Sequence, residues 1–244
     1  MKKIIPCLDF KNGMVVKGVN FVGIKEVGDP LDLAKKYNDD GADELTMLDI
    51  AATVEGRKTK LEIIGRVKRV IGIPLSVGGG IRNLTDIDDV LSAGADKVGI
   101  NTAAVKDKRL ISEAAKKYGK EKIILAVDTK RRSNGKYTVY INAGRDDTGI
   151  DLIDWVTEAE RLGAGELLPT SIDTDGVTMG YDIELYNLIC SAVSIPVTAS
   201  GGCGKLEDFK EVFAKSNVSA ALAASVFHFG TFTVREVKQY LGWI

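Results

Sequence analysis

Eight short apolar, β-branched runs, each followed by an amphipathic helical run, predict an α/β chain folded as a (β/α)8 TIM barrel built from two half-barrel repeats. Three observations carry this prediction. The β-then-α order holds from one end to the other, which implies a parallel sheet, and eight is the number of units that closes one. The 244 residues match a single barrel, which typically needs ~250. The chain also repeats itself. Residues 1–244 therefore read as one domain, with half-barrels at about 1–120 and 121–244.

In order, strands are predicted at 4–9, 43–49, 73–78, 96–101, 122–128, 165–171, 195–200 and 218–224. Helices are predicted near 30–40, 59–71, 84–93, 107–118, 151–162, 183–193, 206–215 and 233–242. Between the first strand and first helix, the Gly-rich segment Gly13–Pro30 lacks helical period and reads as a mobile loop over the barrel mouth. An insertion follows the fifth strand, where Asn134-Gly135 reads as a hairpin turn. Ile73-Pro74 and Gly79-Gly80 recur 122 residues later as Ile195-Pro196 and Gly201-Gly202. Gly41-Ala42 with Glu44-Leu45 recurs at the same offset as Gly163-Ala164 with Glu166-Leu167. IIPCLDFK is echoed at an offset of 119 by IILAVDTK, which sets Asp9 opposite Asp128.

Composition narrows the function. The hydrophobic fraction of 45% and the 26 glycines supply one large core and many tight turns. A net charge of −1 argues against a general polyanion binder. Three cysteines with no CxxC pair fit a reducing compartment and give no disulfide framework. The start MKKIIPCLDF is not a signal peptide, because Pro6 and Asp9 interrupt its short apolar run. No stretch approaches the ~18 apolar residues of a membrane span, so a cytoplasmic protein is expected.

In barrels of this kind catalytic groups sit at the C-terminal ends of strands. Asp9 and Asp128 each end an apolar strand, and alternation aims both inward from opposite sides. Partly buried carboxylates exchange protons near neutral pH, as an acid–base pair requires. A lone aspartate there is more often a turn cap; a repeat-related pair favours catalysis. Gly78-Gly79-Gly80 and Asn101-Thr102 end strands in the first half. Thr170, Ser200-Gly201-Gly202 and Ala224-Ser225 hold related places in the second. Glycine lets backbone N–H groups approach an anion, and the run ASVFHF resembles the short extra helix of a barrel phosphate site. Two related sites suit a long ligand with a phosphate at each end.

Asp49, Asp175 and Gly176 stand at or just after strand ends, where a ligand contact and a turn are both open readings. Lys17 is a solvated loop lysine unless its loop closes over an anion. His228, the single histidine, excludes a multi-histidine metal site and reads as packing or a helix-end contact. Cys7 reads as a small inward core residue and Cys203 as part of a tight turn. At the opposite face Lys3, Glu44, Lys97 and Glu166 begin four strands and point inward by parity. Unpaired charges there are costly, so a closed salt-bridged ring across the floor is expected, either a polar plug or a gate.

Together IIPCLD, VVKGVNF, GDP, DELTMLDI, EGRKT, VGGGIR, GADKVGINTAAV, LAVDTK, TSIDTDG, GYD, ASGG and LAASVFHF resemble the cyclase subunits of imidazole glycerol phosphate synthase over essentially the whole chain. That resemblance implies an ammonia-dependent lyase of histidine biosynthesis. Its substrate would be phosphoribulosyl formimino aminoimidazole carboxamide ribonucleotide. Its products would be imidazole glycerol phosphate and aminoimidazole carboxamide ribonucleotide. It further implies Asp128 as principal acid, Asp9 as its complement and Lys17 closing over the ligand. Gly80, Asn101, Thr102, Asp175, Gly176, Gly201, Gly202, Ala224 and Ser225 would belong to the phosphate sites. Lys3, Glu44, Lys97 and Glu166 would form the ammonia gate beneath a glutaminase partner docked on the N-terminal face. No metal or organic cofactor is implied, nor any nucleic acid or membrane partner. The competing readings are a bis-phosphate sugar isomerase of the same pathway and a non-catalytic phosphate-binding barrel or scaffold. The chain departs from the family's usual residues at Lys3 for arginine, Ala51 for threonine, Gly99 for serine and Pro169 for leucine. Proline in a central strand predicts a local bulge or a missing ladder bond.

Overall fold

The computed structural model describes residues 2–19 and 22–244. Twelve strands lie in one sheet: β1 (Lys3–Lys11), β2 (Met14–Val19), β3 (Val22–Gly28), β4 (Leu45–Asp49), β5 (Leu75–Gly78), β6 (Lys97–Ile100), β7 (Ile123–Arg131), β8 (Tyr137–Ile141), β9 (Asp146–Asp151), β10 (Glu166–Ser171), β11 (Thr198–Ser200) and β12 (Ala220–Ala223). Eight of them, β1, β4, β5, β6, β7, β10, β11 and β12, pair in parallel with both neighbours, and β1 against β12 closes the ring. The expected (β/α)8 barrel is the observed fold.

Helices cover the outside: α1 (Pro30–Asp39), α2 (Leu61–Val70), α3 (Leu84–Ser92), α4 (Thr102–Lys106), α5 (Arg109–Tyr118), α6 (Leu152–Leu162), α7 (Ile183–Ala192), α8 (Leu206–Lys215), α9 (Ser225–His228) and α10 (Val234–Tyr240). Local chemistry sets their ends. Asp29 accepts the Leu31 and Asp32 amides at 2.8 and 3.4 Å, with Pro30 preorganised in the first turn of α1. Asn83 and Asp151 cap α3 and α6 in the same way. The large apolar core lies between sheet and helices, around Leu8, Met47, Leu75, Tyr186 and Phe209.

A second, smaller apolar cluster fills the lumen: Ile5, Cys7, Ile124, Leu168, Ala220 and Leu222. Strand alternation explains the separation, since odd residues of β1 face inward while Ile4, Leu8 and Phe10 join the outer core. Cys7 is thus the inward core residue expected. The lumen is a packed layer between a charged floor and a polar mouth.

One local expectation changes. Gly13–Pro30 is not an irregular loop: β2 and β3 form an antiparallel ribbon that continues β1. Adjacent Val15 and Val16, on opposite faces of the strand, are both buried in it, and Asn12 and Gly13, at φ 55° and 97°, make its turn. The Asn20-Phe21 portion of VVKGVNF lies outside the described residues. The Asn134-Gly135 hairpin is present between β7 and β8, and a further antiparallel strand, β9, follows.

At Pro169 the register of β10 on both neighbours is continuous, so the alternative of a bulge is not realised. The missing ladder bond is. Leu167 N–H donates to Pro196 O at 2.9 Å on the β11 side, and Pro169, two residues on, has no N–H to follow it. The Tyr186 hydroxyl enters the gap. It accepts Ser200 N–H at 2.9 Å and lies 2.6 Å from Ser200 O and 3.4 Å from Pro169 O. Tyr186→Phe leaves these buried groups unpaired, so a loss of about 1–2 kcal/mol in urea unfolding is expected.

Candidate functional site

The C-terminal ends of the barrel strands surround a cleft lined by Asp9, Lys17, Asp128, Thr170, Asp175, Gly176, Ser200, Gly201, Gly202, Ala224 and Ser225, among others. Asp9 and Asp128 come from β1 and β7, which stand on opposite sides of the ring. The sequence pairing of these two carboxylates is therefore realised in space.

Their surroundings differ. Lys17 Nζ lies 3.1 Å from Asp9 Oδ2, and Cys7 Sγ donates to Asp9 Oδ1 at 3.4 Å. Burial opposes the Lys17 charge, but Asp9, Asp175 and Cys7 outweigh it and hold the ammonium firmly protonated. Lys17 is thus no solvated lysine: its side chain is only 12% exposed. Asp128 has no cation. Burial and the neighbouring Asp175 carboxylate push its carboxyl up to about 7, against the Asn101 amide at 3.1 Å and the Gly144 N–H. Burial and Asp9 also raise Asp175, while Lys17 opposes them. An acid near 7 facing an ion-paired carboxylate can both give and take protons at neutral pH.

The second-half glycine turn is open to the cleft. Gly202, at φ 101°, carries no side chain because a Cβ would sit 2.0 Å from Gly180 O. Ala224 is the N-cap of α9 and Ser225 its first residue; Ala224 O accepts the Phe227 and His228 amides at 3.0 Å, which leaves the Ser225 and Val226 N–H groups without intrahelical acceptors. The first-half counterparts stand differently. Gly79 packs on the backbone of Asp49, where a Cβ would lie 2.2 Å from its carbonyl. Gly80 is covered by Ala52 and Arg57, and its N–H donates to Thr53 Oγ1 at 3.1 Å. Thr102 accepts the Asn142 amide at 3.0 Å. Asn101 reaches Asp128 through its amide group, while its oxygen is buried without a partner.

Asp49 takes the turn reading. Its buried carboxylate accepts Ala51 and Ala52 N–H and a two-pronged Arg57 contact at 2.7 and 2.9 Å. The sequence reading missed Arg57, whose only signal is a basic residue after a strand-end aspartate. His228 also packs as expected, with Nδ1 2.6 Å from the Tyr37 hydroxyl. Cys203 is buried beside the Gly201-Gly202 turn.

At the floor the four charges meet, but their ring is not closed. Lys3–Glu44, Glu44–Lys97 and Lys97–Glu166 lie at 3.3, 2.9 and 2.8 Å. Glu166 turns its other oxygen to Thr198 Oγ1 at 2.8 Å in place of a fourth edge to Lys3. Ser76 also bonds Glu44. Lys97 Nζ spans both carboxylates, whereas Lys3 reaches Glu44 alone and stays 43% exposed. Among the described residues no cluster has a metal-ligand set, and no helix is long and apolar enough to cross a membrane.

The histidine biosynthesis protein family matches residues 3–233. Imidazole glycerol phosphate synthase subunit HisF of Clostridium botulinum (strain Okra / Type B1) is 52% identical over 241 residues, 98% of this chain and 95% of its own. The protein of that name from Lactococcus lactis subsp. lactis (strain IL1403) is 53% identical, again over 98% of this chain and 93% of its own.

Two outcomes follow from the site's charges. Removing Lys97 takes the cation from Glu166 and the nearer of two from buried Glu44, so Lys97→Met is expected to cost about 3 kcal/mol by urea unfolding, while Lys3→Met costs under ~1 kcal/mol. Asp128 is raised in the fold, so its ionisation opposes folding: stability is full below the unfolded value near ~4 and falls as pH climbs to about 7. Asp128→Asn escapes that loss. It should match the parent near pH 4 and exceed it by about 2 kcal/mol at pH 8.

Proposed function

The chain belongs to the histidine biosynthesis protein family as a HisF-type cyclase subunit of imidazole glycerol phosphate synthase, and from this premise we propose that Asp9 and Asp128 are its acid–base pair. The reaction joins ammonia to phosphoribulosyl formimino aminoimidazole carboxamide ribonucleotide, closes the imidazole ring of imidazole glycerol phosphate and releases aminoimidazole carboxamide ribonucleotide and one water, which carries off the ketone oxygen. The isomerase and non-catalytic readings give way, because both relatives are synthase subunits at about half identity over nearly the whole chain.

The carrying observation is the carboxyl of Asp128, raised to about 7 and facing ion-paired Asp9 across the cleft. Incorporating ammonia requires removal of its protons and delivery of one to the departing amine. Asp128, populated in both protonation states at neutral pH, supplies the proton to the leaving nitrogen. Asp9 is the complementary group, oriented by Lys17. Lys17 also brings a fixed positive charge to the anionic substrate. One phosphate of the substrate rests on Gly176, Gly201, Gly202 and Ser225, beside Thr170 and Ser200.

The relatives are named as subunits, which implies a second chain. In our reading it is a glutaminase on the N-terminal face, and its ammonia enters past Lys3, Glu44, Lys97 and Glu166 in a cytoplasmic complex. The interrupted ring and the small lumen residues Gly78 and Gly99 favour such a path.

The test is turnover of the formimino ribonucleotide by the purified chain with excess ammonium salt at alkaline pH. Asp128→Asn is expected to lose ~10²-fold or more in kcat while substrate binding persists. Unchanged turnover in that variant overturns the assignment of Asp128.

A further inference from the structure

The carbonyls of the second-half glycine turn are held from behind. The Tyr186 hydroxyl donates to Ser200 O at 2.6 Å and accepts Ser200 N–H at 2.9 Å. Thr174 Oγ1 lies 3.3 Å from Gly201 O and 3.4 Å from Ser171 O, with one proton to share between them. Gly180 N–H donates to Gly202 O at 2.8 Å. Ser200, Gly201, Gly202 and Cys203 line the cleft, whereas Tyr186, Thr174 and Gly180 stand outside it. A peptide group is planar and trans, so its N–H points opposite to its C=O. Tying the Gly201 and Gly202 carbonyls away from the cleft turns the Gly202 and Cys203 N–H groups toward it. Among the described residues neither N–H has an acceptor.

Tyr186 is the tether on which this seam depends. Pro169 has no N–H to give β11, and β11 is only three residues long. Its pairing with β10 is reduced to Thr170↔Ser200 and the isolated bridge Leu167↔Val197. Ser200, the last residue before the glycines, is the one that the hydroxyl grips at both N–H and C=O. The hydroxyl is itself fixed in place. Tyr186 is fully buried in the first turn of α7, whose N-cap Asp182 accepts the Leu185 N–H and the Ser171 and Tyr137 hydroxyls. Burial pushes the phenol above its ordinary value, so the proton donated to Ser200 O stays in place at every working pH.

We propose that Tyr186 is a positioning residue for substrate binding. Across the strand seam interrupted by Pro169, its hydroxyl presets the Ser200–Gly202 turn, so that the Gly202 and Cys203 N–H groups meet a phosphomonoester of the substrate without rearranging. Thr174 is the second, weaker tether. The inference rests on the reading that one substrate phosphate lies on Gly201 and Gly202. Its effect falls on binding and not on proton transfer, because the Tyr186 hydroxyl contacts Ser200 and Pro169 and neither reacting carboxyl.

Calorimetric titration compares the parent chain, Tyr186→Phe and Thr174→Val for the formimino ribonucleotide and its two singly dephosphorylated forms; kinetics at saturating ammonium add KM and kcat. Tyr186→Phe is expected to raise Kd and KM for the full substrate about 5- to 10-fold and Thr174→Val about 2- to 3-fold, with kcat within about twofold. The penalty persists for the form that keeps the phosphate on the glycine turn and vanishes for the form that lacks it. Tyr118→Phe removes a hydroxyl bond to Leu84 O at 3.1 Å in the other half of the barrel; it is the control and leaves KM and kcat unchanged. Adding Pro169→Leu to Tyr186→Phe returns a backbone donor to the seam, so the urea midpoint recovers while the binding penalty stays. This double variant also supplies the binding comparison if Tyr186→Phe alone does not fold. A penalty that recovers with stability, or one equal on all three compounds, overturns the proposal. A parent that binds all three compounds alike refutes the phosphate placement itself. A parent that distinguishes them, matched throughout by Tyr186→Phe, refutes the tether alone.

Discussion

Closure of a parallel sheet leaves each strand one inward and one outward face, and the pairing of β1 with β12 and β4 decides which residues take them. The partners Lys3↔Ala220 and Ile5↔Leu222 on one side, and Cys7↔Thr46 and Asp9↔Leu48 on the other, commit the odd positions of β1 to the lumen. A slip of one residue would turn Lys3 and Asp9 into the apolar outer core and bring Ile4 and Leu8 inside. The same alternation in β7 and β10 lines up Ile124 with Asp128 and Glu166 with Thr170. One constraint thus produces a charged floor, an apolar middle and an acidic mouth.

The buried carboxylates are served unequally, and that inequality separates scaffold from chemistry. Asp49 receives an arginine fork and two backbone amides, and Glu44 receives two lysines and a serine. Their charge is met, and they hold a loop and a floor in place. Asp128 receives a neutral amide and a single N–H, with a second carboxylate nearby. Desolvation is left uncompensated there, and its carboxyl rises to about 7 as a direct consequence. Lys17 pairs with Asp9 and not with Asp128, so the two carboxyls sit in different surroundings on opposite sides of the cleft.

Much of this was legible along the chain because it is local or periodic. The strand ends that bear Asp9 and Asp128, the helix starts and the inward parity of Lys3, Glu44, Lys97 and Glu166 all follow from alternation. The ribbon over Met14–Gly28 was hidden because its valines adjoin glycines and charged residues that suggest a loop. Pro169 marked a lost donor, but no local signal announced that Tyr186, seventeen residues on, would fill the gap. The open edge of the floor ring was equally silent: it depends on reach, as Glu166 finds Thr198 sooner than Lys3. Arg57 on Asp49 was silent for a different reason: nothing in the sequence between them says that the chain turns back so that the guanidinium meets the strand-end carboxylate.

The repeat makes the two halves alike in glycines but unlike in what folds onto them, and one pair of positions explains why. Asp49 ends its strand with a carboxylate, and its counterpart 122 residues later is Ser171. A buried charge needs a counter-charge, so Asp49 draws Arg57 back across the mouth, and the intervening residues settle over Gly80. Ser171 makes no such demand; its hydroxyl donates to Asp182 at 3.1 Å, and the chain after it leaves Gly201 and Gly202 on the cleft. The Gly201 and Gly202 backbone therefore faces the cleft, whereas Gly80 N–H is spent on Thr53 Oγ1: the two halves share their glycines but not their surroundings.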